Sequence, residues 1–187
     1  MAAKALPPPD VLRQLLSYDP ETGKLTWLRR PTAMFVDGNT SADANARGWN
    51  GRYAGKEAFT AKLNGYRHGR ICGQASSAHR LIWAFVTGRW PTCEIDHING
   101  VRDDNRLCNL RAVSRIQNMR NMSKSVVNTS GVTGVTWNSR DSRWVAQIGG
   151  GGKQLQLGNY RLFDDAVAAR QAAEIELGYH PNHGRAR

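Results

Sequence analysis

Two side chains suited to acid–base and metal chemistry stand next to each other at Asp96 and His97. They lie in the run E-I-D-H-I-N-G-V-R-D-D-N-R-L-C-N-L-R-A-V-S-R-I-Q-N-M-R-N, from Glu94 to Asn121. An imidazole titrates near neutrality, so His97 can take a proton from an attacking water. In a strand, neighbouring side chains point to opposite faces, so one can hold a metal while the other handles the proton. Asn109 and Asn118 follow in the same run. A carboxylate, a neutral imidazole and an amide oxygen suit a hard divalent ion beside a phosphate better than they suit zinc. Such an ion offsets the charge that grows on the phosphate and on the leaving oxygen.

The pattern D-H-I-N-G-x-x-x-D-N-R-x-x-N-L-R-x-x-S-x-x-x-N-x-x-N resembles the HNH endonucleases of phages and introns. An isolated Asp-His pair carries little weight, but the joint pattern has few other reasons to occur. The resemblance implies a ββα-metal unit that holds one divalent ion, Mg²⁺ or Mn²⁺, and cuts double-stranded DNA. It makes Asp96 and Asn118 the metal ligands and His97 the general base. Asn118 stands where many relatives carry the last histidine of the motif. Asn121, three residues on and on a nearby helix face, is the alternative ligand. Asn118 is preferred because its distance from His97 matches the family. Asn109, by the same resemblance, fixes the loop and so orients the histidine, and asparagine readily bonds nearby backbone. The H-R-L-I-W run from His79 also recurs upstream in this group, although His79 by itself reads as a structural histidine.

Elements must hold these groups in place. Cys93 to His97 reads as a strand, 98–109 as a long loop, and Leu110 to Val113 as the returning strand. Ser114 then caps a helix to about Met122. Upstream, Ser77 to Gly88 reads as a helix with the stripe Leu81, Ile82, Phe85 and Val86. Asn64-Gly65 is a hairpin turn between a strand near 53–63 and a return through Tyr66 to Cys72. Alternation puts His68 and Arg70 on one face of that return and Arg67 on the other. Arg30 to Asn50 shows little periodicity and is expected to be irregular. Lys24 to Leu28 reads as a strand, and Asp10 as the cap of a short helix bearing Val11, Leu12, Leu15 and Leu16. A Pro-rich lead-in, Met1 to Pro9, is expected to be loose. Arg111, Arg115, Arg120 and Lys124 form a basic run that should meet phosphates beside the cut, which positions DNA without reading its sequence.

After a polar linker at 126–130, three strands are readable near 135–138, 144–148 and 154–157. An Ala-rich helix, 162–177, ends before Gly178. The elements G-V-x-W, R-W-V-A-Q-I, L-G-N-Y and A-V-A-A-R resemble the AP2-type DNA-binding domain. That resemblance implies a sheet lying in the major groove, which admits a β-ribbon. Thr136, Asn138, Arg140, Arg143, Gln147, Gln154 and Gln156 are the candidate contacts. Alternation turns Gln154 and Gln156 outward and Leu155 and Leu157 inward. Trp144 reads as core.

The composition agrees with such a partner. Lys and Arg number 26 against 15 Asp and Glu, a net charge of +11, and phosphate contacts draw affinity from that excess. Three cysteines without a C-x-x-C pair give neither a disulfide framework nor a zinc ribbon. No apolar run approaches a membrane span, the Met1 to Leu6 segment is too short for a signal peptide, and a reducing bacterial cytoplasm is expected. The expected architecture is α+β: an extension over 1–50, a nuclease domain over 51–125, and a linker with an AP2-like domain over 126–187. The expected activity is nicking by a monomer that needs no protein partner, with homing as an extension. A non-enzymatic DNA-binding regulator is the alternative. An RNA nuclease is disfavoured because the C-terminal sheet carries few stacking aromatics.

Overall fold

The computed structural model describes residues 6–150 and 152–186. Of the expected loose lead-in, residues 1–5 lie outside the described residues. The chain divides into two compact units, 1–113 and 114–187.

In the first unit, α1 (Pro9–Leu15) is started by Pro8 at the N-cap and Pro9 inside the first turn. Proline suits that position because its missing N–H would have no helical partner there. Asp10 therefore does not cap the helix; it pairs with Arg13 at 2.8 Å. Leu16, expected on the helix, opens β1 (Leu16–Asp19) instead, because it pairs with Trp27 of β2 (Lys24–Trp27).

The segment expected to be irregular contains a 3-10 turn, Thr32–Met34, and a helix, α2 (Ala42–Tyr53). Ser41 caps α2 by accepting from the Ala44 N–H. The helix lacked a periodic signal because only Ala46 and Asn50 on it are buried. Asn50 secures it by accepting from the Arg30 N–H and donating to the Arg30 carbonyl.

β3 (Glu57–Ala58) completes the first sheet, in the order β1-β2-β3. β4 (Ala61–Leu63), β5 (Tyr66–Ile71) and β6 (Gln74–Ser77) form a second antiparallel sheet. The expected Asn64-Gly65 turn joins β4 to β5, with both residues at positive φ, as a type I′ turn requires. α3 (Ala78–Thr87) buries Leu81 and Ile82 and ends on Gly88 at φ 74. Val86, expected in the stripe, is exposed.

β7 (Glu94–His97) and β8 (Leu110–Val113) pair antiparallel, with Asp96 opposite Arg111 and His97 opposite Leu110. One core, built on Leu12, Leu16, Leu25, Ile71, Leu81, Ile82, Ile95 and Leu110, joins α1, α3 and strands of all three sheets.

The second unit opens with α4 (Arg115–Met119), capped by Ser114 and Gln117 in a reciprocal capping box. It ends earlier than expected. The Arg120 and Met122 carbonyls accept from His180 and Gly184, and the Lys124 N–H donates to Arg185, so the C-terminal segment takes backbone groups that more helix would need.

β9 (Val135–Asn138), β10 (Arg143–Gly150) and β11 (Lys153–Tyr160) form an antiparallel sheet in the order β11-β10-β9. α5 (Phe163–Glu176) packs on it through Ala166, with Val135 and Ala146 in the core between. Trp144 packs there too, edge to face with Phe163 at 4.8 Å. Mixed α and β structure in small antiparallel sheets is thus present as expected.

Candidate functional site

Asp96 and His97 end β7, and the sequence fixes their setting from both sides. Ile95 is in the core before them. Across the hairpin, the Ile98 N–H donates to the Asn109 carbonyl. α3 steadies the approach to β7, because Arg80 donates to the carbonyls of Pro91 and Cys93. Both side chains are buried, Asp96 to 8 % exposure and His97 to 3 %.

Asn109 fastens the loop. Its Oδ1 accepts from the Asn99 N–H and its Nδ2 donates to the Asp104 carbonyl. Asp104 in turn receives Nε and Nη2 of Arg106 and the amide of Asn99. The Arg106 guanidinium holds the Asp104 carboxyl down to about 2. The loop is therefore a set of charge-assisted and amide bonds that closes on Asn99, two residues after His97.

Three rings meet at His97. His79 approaches it edge to face, with centroids 5.0 Å apart, and Tyr66 lies 5.1 Å from His79 and 5.7 Å from His97. Burial, reinforced by His97 and Arg80, pushes His79 down to about 3, so it stays neutral. Burial also lowers His97, against the Asn105 hydrogen bond and the Asp96 charge, which raise it. A neutral His97 at pH 7 is the form that accepts a proton. His79 and Tyr66 are site neighbours that the sequence reading did not assign. The only sequence signal was the H-R-L-I-W run itself.

Arg111 donates from both Nε and Nη2 to Asp96 Oδ2, at 3.0 and 2.8 Å. A residue expected at the DNA backbone is thus an ion-pair partner of the central carboxylate. A buried carboxylate is an oxygen donor that fits a hard cation. No group of three His, Cys, Asp or Glu side chains able to hold a metal is present among the described residues. A carboxylate oxygen is a hard donor, which suits Mg²⁺ or Mn²⁺ better than zinc.

Asn118 lies in the second unit, on α4, half-buried. Asn121 is buried, and its Oδ1 accepts from Arg185 Nη1 at 3.0 Å. Of the basic run, Arg115 is exposed, Arg120 lies over the Tyr179 ring at 5.4 Å, and Lys124 donates to the Gly131 carbonyl.

The sheet of the second unit sorts the remaining candidates. Cross-strand partners share a face, so Thr136 with Val145 and Asn138 with Arg143 lie opposite the α5 side. A bulge between Ala146 and Gln147 resets the register on β11. Gln147 then faces with Gln156, and Gly149 with Gln154. The same bulge brings Asn159 onto this face beside Val145, which simple alternation does not foresee; its Oδ1 accepts from Gln156. Arg140 stands in the turn after Asn138, whose Oδ1 accepts the Arg140 N–H. Leu155 shares the inner side with Ile148, as expected, yet is 45 % exposed.

Known proteins resemble parts of this sequence. The HNH endonuclease family model matches residues 76–120, from the end of β6 through α4. Protein 3.8 of Escherichia phage T7 is 33% identical over 82 residues, 43% of this chain and 68% of that protein. The chain belongs to the same family as protein 3.8 and carries an HNH endonuclease domain. No solved structure matches it. The HNH segment contains His79, Asp96, His97, Asn109 and Asn118, whereas α1, β1, β2 and the sheet of the second unit fall outside it. Nuclease function is supported at the level of this family, and HNH nucleases generally use divalent metals. No helix among the described residues is long and apolar enough to cross a membrane.

Proposed function

We propose that this protein is a metal-dependent DNA endonuclease that hydrolyses phosphodiester bonds, nicking one strand per visit, with the sheet of the second unit carrying it to DNA. The observation that supports this most is the buried Asp96–His97 pair on β7, with its loop closed by Asn109, inside the stretch that matches the HNH endonucleases. His97 takes the proton from the attacking water. Asp96 and Asn118 would hold one Mg²⁺ or Mn²⁺, which supplies Lewis-acid stabilisation of charge on the phosphate. The choice of Asn118 rests on the sequence pattern. Arg111 turns the Asp96 carboxylate, and Asn109 keeps the loop from moving His97 off its water. Arg115, Arg120 and Lys124 contribute phosphate attraction in this reading. Thr136, Asn138, Arg140, Arg143, Gln147, Gln154 and Gln156 face the major groove in the manner of an AP2-type domain. The enzyme acts as a monomer in the cytoplasm of a phage host, and homing is the biological setting that such a pairing of modules suggests.

Cleavage of supercoiled plasmid tests this reading. Wild type with Mg²⁺ should give relaxed circles, EDTA should abolish them, and His97→Ala should cut at least about 100-fold more slowly. Plasmid and natural-source DNA both left intact with Mg²⁺ and Mn²⁺, yet shifted on a gel, would favour the alternative of a DNA-binding regulator. Cutting by His97→Ala at the wild-type rate would remove His97 from its role.

A further inference from the structure

Beside the site lies a deeply buried polar side chain, Asn105. It is 3 % exposed. Its Oδ1 lies 3.2 Å from His97 Nε2. An amide oxygen only accepts, so this contact requires the proton on Nε2 and leaves the lone pair on Nδ1. We propose that Asn105 is a positioning residue that fixes His97 as its Nε2–H tautomer, with Nδ1 as the nitrogen that takes the proton. This rests on reading His97 as the base.

Asn105 is itself held on several sides. Asp104 and Arg106, its chain neighbours, form the ion pair of the loop, and Asn109 donates to the Asp104 carbonyl. Tyr18 of β1 donates its hydroxyl to the Asn105 carbonyl at 2.9 Å. Burial pushes the Tyr18 phenol up to about 12, so it keeps the proton it donates. Gly23, in the turn between β1 and β2, lies against the same backbone. A Cβ there would stand 2.6 Å from the Asn105 carbonyl carbon and the Arg106 nitrogen. The Asn105 backbone is thereby clamped from the β1–β2 hairpin, which precedes the HNH segment, while its side chain reaches His97. An ordinary loop asparagine would bond its own turn, as Asn99 does with the Val101 N–H. Asn105 instead reaches a ring eight positions before it.

The test uses the full chain labelled with ¹⁵N-histidine, and reads the tautomer of His97 from two-bond ¹H–¹⁵N correlations at pH 7, assigned with His97→Gln. Wild type should show protonated Nε2. Asn105→Leu, of similar volume without an acceptor, should move His97 to a mixture or to Nδ1–H, whereas Asn105→Asp should keep Nε2–H. On plasmid, Asn105→Leu should lower kcat about 10- to 100-fold with little change in KM, Asn105→Asp should recover most of it, and Tyr18→Phe should show a smaller loss. Wild-type His97 found as Nδ1–H, or a tautomer unmoved by Asn105→Leu, overturns the proposal. If Asn105→Leu does not fold, the wild-type tautomer and the Tyr18→Phe kcat decide it. A correct tautomer shift in a protein that cuts nothing upholds the positioning role and sinks the nuclease reading. Cutting with an unmoved tautomer does the reverse.

Discussion

His79 and His97 meet edge to face at 5.0 Å, and burial holds both imidazoles below their usual range. Two buried rings in contact gain nothing from charge, so both rest neutral at pH 7. The sign of the pH effect follows. A histidine whose folded pKa lies below its unfolded value, about 6.5, takes up fewer protons folded than unfolded as pH falls. Its stability contribution is thus undiminished above pH 6.5 and is lost as pH falls towards its folded value, about 3 for His79. Asp104 acts in a lower window: its contribution is present above about 4 and fades as pH falls through about 2. Between pH 6.5 and 5, His79 should therefore lower the stability of the first unit by roughly 2 kcal/mol, read as lost hydrogen-exchange protection in α3. His79→Phe should flatten that dependence. Equal protection in wild type at both pH values would contradict a neutral His79.

At the scale of elements, the hairpin of β1 and β2 carries more than its own pairing. Gly23 has φ 71 and no room for a Cβ, whereas Gly55 has φ 79 and open space around it. Alanine at either site strains a left-handed backbone by about 1 kcal/mol. Gly23→Ala must also displace the backbone beneath Asn105. Urea unfolding should show both variants destabilised, Gly23→Ala more so. Plasmid cleavage should fall for Gly23→Ala and hold for Gly55→Ala. Equal cleavage by the two would separate the hairpin from the His97 loop. The Asn64-Gly65 turn, the α3 stripe and the Ser114 cap were readable because each depends on residues within a few positions. α2 was not, because its hold on the chain is Asn50 on Arg30, 20 positions away, together with the Trp27, Phe35 and Tyr53 rings around Trp49.

For the molecule as a whole, the proposed function assigns DNA affinity to the net charge of +11 and sequence reading to the amide groups on the outer face of the second unit's sheet. These terms separate by salt. Anisotropy titrations on a DNA fragment that the protein cuts should show Arg143→Ala lowering the salt slope by about 1. Gln154→Ala and Gln156→Ala should weaken that site by about 1–3 kcal/mol each with the slope unchanged. Identical behaviour of all three variants on unrelated DNA and on the cut fragment would leave the sheet as an electrostatic handle.

The sequence alone determined what depends on residue type and short spacing: the Asp96–His97 strand, the loop and return that follow it, the three strands and helix after 130, and a polar outer sheet face. The tertiary structure decided the partners. Tyr18 reaches Asn105 across 87 positions, Arg111 turns to Asp96 across a hairpin, His79 comes from α3 to face His97 on β7, and one bulge moves Asn159 onto the outer face. Local periodicity fixes which way a side chain leaves its own element. What it meets depends on core packing and strand register between distant segments, and no window of sequence contains both sides of that contact.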